Sequence, residues 1–305
     1  MVVRNPQTEA KIRVGSRYDV RVLEPSPPAV HEGPWYADDP VAGGEIVPVE
    51  REGTRSWTEF CTEIDNTELW DWCRYRWLVP RSLDKLPARF AATRDALHAV
   101  AEHLIAPRRH MANGKIGLRY TYRGFGTPFF DDDHQVRVED GELVDRNRRR
   151  KLVTLAAGAE FLGVELGTGT GAYTPTTPCD PDAVLDVEFD AARALGEWFG
   201  FATAVLEQLR EEASEEDTPS RVQLWPEHFD VAVDLGPDGE RANFGGSPGD
   251  AGHPEPYLYV GPWNSRQREG HFWNEPFGAS LSYSEIQRGA DPLDFLRRGK
   301  TLARA

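Results

Sequence analysis

The sequence predicts an α+β protein in which antiparallel sheet is covered by two long amphipathic helices. Strand-like segments follow one another through turn residues instead of alternating with helices. Two stretches, 84–106 and 190–213, repeat apolar residues at three-to-four-residue spacing. Across 305 residues, 39% hydrophobic and 10% aromatic content supplies a core to bury.

Residues 1–56 read as an extended N-terminal arm, rich in proline from Pro25 to Pro48. Alternation in Ile12-Arg13-Val14 and in Tyr18 to Val22 suggests two short strands there. Residues 57–305 read as a single α+β unit. Its start, 57–80, holds Trp57, Trp70, Trp72 and Trp77, the density of an aromatic cluster. The helix at 84–106 carries Leu86, Phe90, Leu97, Val100, Leu104 and Ile105 on one stripe, and Pro107 is expected to stop it. Strand patterns follow at 115–122 and 136–143, the second turning through Asp140-Gly141.

Residues 153–166 read as a short helix running into a strand. The helix at 190–213 presents Leu195, Trp198, Phe199, Ala202, Val205, Leu206 and Leu209 as a broad apolar face. Strands are expected at 221–225, 229–235, 240–244, 257–260 and 279–284. Asp291-Pro292 supplies an N-cap and first-turn pair for a closing helix at 292–303. Helix followed by hairpin thus occurs twice, suggesting two similar lobes at 57–152 and 153–305.

Fifty acidic against thirty-five basic residues give a net charge of −15, which argues against a nucleic-acid partner. No apolar run is long enough to span a bilayer, so no membrane partner is expected. The N-terminus lacks the features of a secretion signal, and Cys61, Cys73 and Cys179 form no disulfide framework or zinc motif. A cytoplasmic location is the expectation.

Candidate sites narrow quickly. Gly167-Thr168-Gly169-Thr170-Gly171 looks like a phosphate loop, but Pro175 and Pro178 deny it a following helix N-terminus. The basic run 146–151 fits solvent exposure or internal ion pairs. Asp131-Asp132-Asp133-His134 fits a solvated turn. The richest segment is Trp225-Pro226-Glu227-His228-Phe229-Asp230. If strand geometry holds from Glu227, His228 and Asp230 share one face, as in the H-x-D half of a two-His-one-carboxylate metal site. His253 or His271 would supply the further ligand. A divalent metal, iron or zinc, is the cofactor such a set would hold. The plain alternative is a structural His228 beside an Asp230 that caps neighbouring amides.

Several strings carry a resemblance. They are Thr93 to His98, Asn113 to Arg119, Gly124 to Pro128, Val222 with Phe229 to Val233, and His253 with Pro262-Trp263. Over roughly residues 90–285 these resemble an uncharacterised actinobacterial family of hypothetical proteins. That family is loosely similar to a bacterial domain of unknown function with a leucine-histidine helix, a "GKI" strand and an "FDLA" strand. The resemblance implies no activity.

Two functions are therefore expected to compete. One is a small-molecule enzyme with a divalent-metal site at His228, Asp230, His253 and His271. The other is a non-catalytic protein whose aromatic segments line a ligand cavity or an assembly interface, including a homo-oligomeric one.

Overall fold

The computed structural model describes residues 2–4, 11–13 and 83–304, except 122, 129, 131–133, 147 and 265–268. The tryptophan-rich segment 57–80 and most of the arm lie outside these residues. Within the arm, β1 (Val2–Arg4) pairs antiparallel with β2 (Lys11–Arg13).

The first long helix begins at Phe90 and runs past Pro107. It comprises α1 (Phe90–Val100), a π-helical turn (Ala101–Ile105) and α2 (Ala106–Asn113). The expected stop at Pro107 does not occur. In the wider turn the Ala106 amide bonds back to the Ala101 carbonyl, five residues earlier. That extra residue per turn makes room for a ring that would otherwise crowd the preceding turn.

A five-stranded meander follows: β3 (Arg119–Thr121), β4 (Gly124–Gly126), β5 (Val136–Glu139), β6 (Glu142–Asp145) and β7 (Arg148–Lys151). Asp140 and Gly141, with φ of 52° and 79°, form the expected two-residue turn between β5 and β6. The basic run lies on edge strand β7 and finds internal partners. Arg148 pairs with Asp145, Arg149 with Glu139 at 2.6 Å and Arg150 with Glu160 at 3.3 Å.

Helix α3 (Leu155–Leu162) then ends at Gly163 in a left-handed cap, with Thr154 capping its start. The strand expected after it does not form. Instead, the Val164 amide closes back onto the Ala159 carbonyl at 3.0 Å. The glycine loop is succeeded by turns, and the next helix, α4 (Phe189–Glu211), begins only at Phe189.

A second meander completes the fold. It runs β8 (Gln223–Trp225), β9 (Asp230–Leu235), β10 (Ala242–Ser247), β11 (Tyr257–Pro262) and β12 (Ala279–Ser282), all antiparallel. Short α5 (Tyr283–Gln287) and closing α6 (Pro292–Ala303) follow, with Asp291 accepting from the Leu293 and Asp294 amides. The two meanders meet where Leu118 and Leu224 exchange backbone hydrogen bonds of 2.7 and 2.8 Å.

Helix α4 packs on β3 and β4 of one sheet and on β9 and β10 of the other, so one hydrophobic core runs between them. Leu97 on α1 and Val205 on α4 are 1% and 0% exposed, as their mid-stripe positions require. Replacing either with Ala should cost about 2–4 kcal/mol, read as a drop in urea midpoint at unchanged slope. No helix among the described residues is long and apolar enough to cross a membrane.

Candidate functional site

Alternation gives the second sheet a dry face and a polar one. Leu224, Val231, Val233, Leu235, Phe244, Leu258, Val260 and Leu281 are buried on the inner face. Residues of opposite parity point the other way: Trp225, Asp230, Ala232, Asp234, Asn243, Tyr257, Tyr259 and Ser280. The register confirms this grouping, because Trp225 pairs with Asp230, Asn243 with Asp234, and Tyr259 with Ser280.

A cavity of about 200 Å³ opens on the polar face. Its lining includes Trp225, Glu227, His228, Asp230, Asp234 and Tyr259. His228 and Asp230 do come together there, but not through strand alternation. Residues 226–229 form a tight hairpin loop in which the Phe229 amide bonds the Trp225 carbonyl at 2.7 Å. Phe229 adopts φ of 53°, a strained value for a bulky residue.

Three groups hold that loop. The Phe229 ring is buried edge-on against Phe125 and Phe199. The His98 ring stacks on it at 5.0 Å. His98 Nε2 then lies 2.9 Å from the Pro226 carbonyl oxygen, a contact the ring makes by donating its N–H. Burial holds His98 below its ordinary pKa, against the opposing pull of Glu102.

Asp230 sits at the centre, 6% exposed. Its Oδ2 accepts from the Tyr259 hydroxyl, whose ring reaches across β10 from β11. Glycine at 245 permits this crossing, since a Cβ there would come within 2.4 Å of the Tyr259 ring. Asp230 Oδ1 has no hydrogen-bond partner, and neither do Glu227 Oε2 and Asp234 Oδ1. Asp234 is anchored from its other oxygen by Arg241, which also stacks near the Trp263 ring at 5.5 Å.

Three residues that line this cavity, Glu227, Asp230 and Asp234, thus each carry one buried carboxylate oxygen without a hydrogen-bond partner. Burial pushes the Asp230 carboxyl above its ordinary pKa, opposed by the Tyr259 bond and the nearby His228. Glu227 is likewise raised, chiefly by burial and further by the charges of Asp230 and Glu102. Burial, then the Asp230 charge, raises the Tyr259 phenol.

The π-helical turn supports the site from one side. Buried Glu102 accepts from the amides of Thr176 and Thr177 at 2.8 and 2.7 Å, and from the Thr177 hydroxyl at 2.6 Å. Residues Thr176 and Thr177, beyond the glycine-rich stretch, are thereby tied to the helix.

The other two predicted ligands lie elsewhere. His253 lines a neighbouring cavity, with Nε2 3.1 Å from Glu275 Oε1 and its ring tilted against Tyr257. His271 is exposed in the turn from Gly270 to Trp273 and lines neither cavity. Among the described residues no three His, Cys, Asp or Glu side chains are placed to hold a metal ion. His134 is buried and bonded to Asp145 at 2.6 Å, while Asp131–Asp133 lie outside the described residues.

Glu227, Asp234, Asn243 and Tyr259 were not singled out by the sequence motifs. The spacing Asp230-x-x-x-Asp234 on one strand is the signal that could have found the second carboxylate. Comparisons with protein-family models, curated proteins and solved structures found no match to this chain.

Proposed function

We propose that this protein binds a small molecule bearing an ammonium or guanidinium group, seated against Asp230, Glu227 and Asp234. The observation that carries this reading is that three acidic residues line one cavity, each with one buried carboxylate oxygen that lacks a partner. A buried acceptor left unpaired costs about 1–3 kcal/mol, and a cationic donor removes that cost. Trp225 and Tyr259 add aromatic faces that attract a cation. The net charge of −15 draws cations toward the protein and supports the absence of a nucleic-acid partner.

An enzymatic version is favoured by one specific feature. Glu227 and Asp230 both have raised carboxyl pKa values in a cleft, the condition for proton transfer to a bound ligand. A divalent metal is not needed for either version. The wider proposal keeps a cytoplasmic location, and treats the helix-and-meander succession as two similar lobes around α4.

Calorimetric titration with butylamine, and with butanol as the neutral control, tests the reading. Butylamine should bind and butanol should not. Affinity should rise with pH above the ordinary carboxylate range, because the raised Glu227 and Asp230 carboxyls ionise there while the amine stays charged. Equal binding of both probes, or binding of neither, would contradict the proposal. Mass spectrometry of the recovered ligand separates the versions: an unchanged amine indicates binding, an altered one catalysis.

A further inference from the structure

A second cavity, of about 330 Å³, opens on the same polar face beside the first. Its lining includes His253, Glu255, Tyr257, Ser280 and Ser282. Tyr257 lines this cavity and Tyr259 the first, two residues apart on one strand with ring centroids 6.3 Å apart. Phe277, 42% exposed, packs against both rings at 6.4 and 6.3 Å. An aromatic surface therefore connects the two cavities.

The carboxylates differ between the two ends. In the first cavity, Asp230 is more than nine-tenths buried and its Oδ1 has no partner. In the second, Glu255 is held by the Ser284 hydroxyl at 2.7 and 2.5 Å, which fixes its position without neutralising its charge. Glu275 already serves the Ser280 hydroxyl at 2.8 Å and His253. Glu255 is thus the anion best placed to meet a second cation.

We infer that the ligand is a linear diamine or polyamine, with one ammonium group at Asp230 and a second at Glu255. This rests on the function proposed above and specifies its ligand class. The Tyr257 and Tyr259 rings lie along the path between the two carboxylates, one ring in the lining of each cavity. A four-carbon diamine is a simple ligand of this class. Its methylenes would lie on the Tyr257, Tyr259 and Phe277 rings, which offer apolar surface and favourable faces for the flanking charges. Linking two weak sites through one short chain makes the second contact intramolecular, so affinity should exceed that of either end alone.

Putrescine and butylamine, which share a four-carbon chain, provide the test on the full-length protein. Putrescine should bind at least about tenfold more tightly than butylamine. Glu255→Gln should remove that advantage and leave butylamine affinity unchanged, the latter showing that the variant is folded. Asp230→Asn should weaken both ligands. Equal affinity of putrescine and butylamine for the wild-type protein would overturn the two-ended ligand while leaving the amine site standing. Failure of both to bind would overturn both readings. A lysine-containing tripeptide that displaces putrescine at lower concentration would also overturn the small-molecule assignment.

Discussion

Asp230→Asn is expected to make the protein more stable at neutral pH while weakening amine binding. The carboxyl is buried and its pKa is raised above the ordinary value near 4, so the folded state resists its ionisation. The sign is fixed by linkage. Below the unfolded pKa both states hold the proton, and Asp230 costs nothing. As pH climbs from there through the raised folded value, the unfolded chain ionises first and the folded state loses ground. Asn carries no charge and its carbonyl can still accept from Tyr259. The variant should therefore gain stability at pH 8, a gain that shrinks toward zero near pH 3, in urea melts run across that range. A variant less stable than wild type at pH 8 would mean that Asp230 holds the sheet together rather than serving a ligand.

Trp198→Ala should produce the largest loss of stability, about 3–5 kcal/mol. Trp198 is fully buried on α4, stacked on Phe201 at 5.6 Å and beside Tyr283 at 5.8 Å. It packs beneath β10, where its ring lies 3.5 Å from the position a Cβ on Gly246 would occupy. Residue 245, over which Tyr259 crosses, is the next position on that strand. Truncation would leave a void between α4 and the second sheet, so amine affinity should fall along with thermal stability. Trp198→Phe, which keeps part of the ring volume, should recover much of both. Unfolding followed by circular dichroism and binding by calorimetry measure the two effects separately.

Much of the fold was legible because it rests on local periodicity. The stripe through Leu195 to Leu209 and the alternation of Val231, Val233 and Leu235 each dictate a buried face. Asp291-Pro292 marks its helix start through capping chemistry that needs no tertiary context. Pro107 misled because proline's usual effect was offset by a π-helical turn, which depends on how the helix packs rather than on its own residues.

The site was legible only in part, for related reasons. His228 and Asp230 stand out as a motif, yet their meeting depends on a hairpin loop held by Phe229 and His98. The sequence around 228 reads as strand because nothing local reveals a left-handed Phe229; burial among three aromatic rings compels it. Tyr259 is invisible to motif reading because it reaches Asp230 over an intervening strand. Only the register that sets Gly245 opposite Tyr259 on one side and Ala232 on the other creates that path. The flexible segment before His253 does not carry it to His228, because its ring meets Glu275 instead.

The most direct test of the amine site is a crystal structure of the protein soaked with butylamine. The account predicts the ammonium nitrogen in the cavity between Trp225 and Tyr259, within about 2.7–2.9 Å of Asp230 Oδ1 and within reach of Glu227 or Asp234. Asp230 Oδ1 bonded to a protein donor, with the cavity closed and the amine elsewhere, would contradict it.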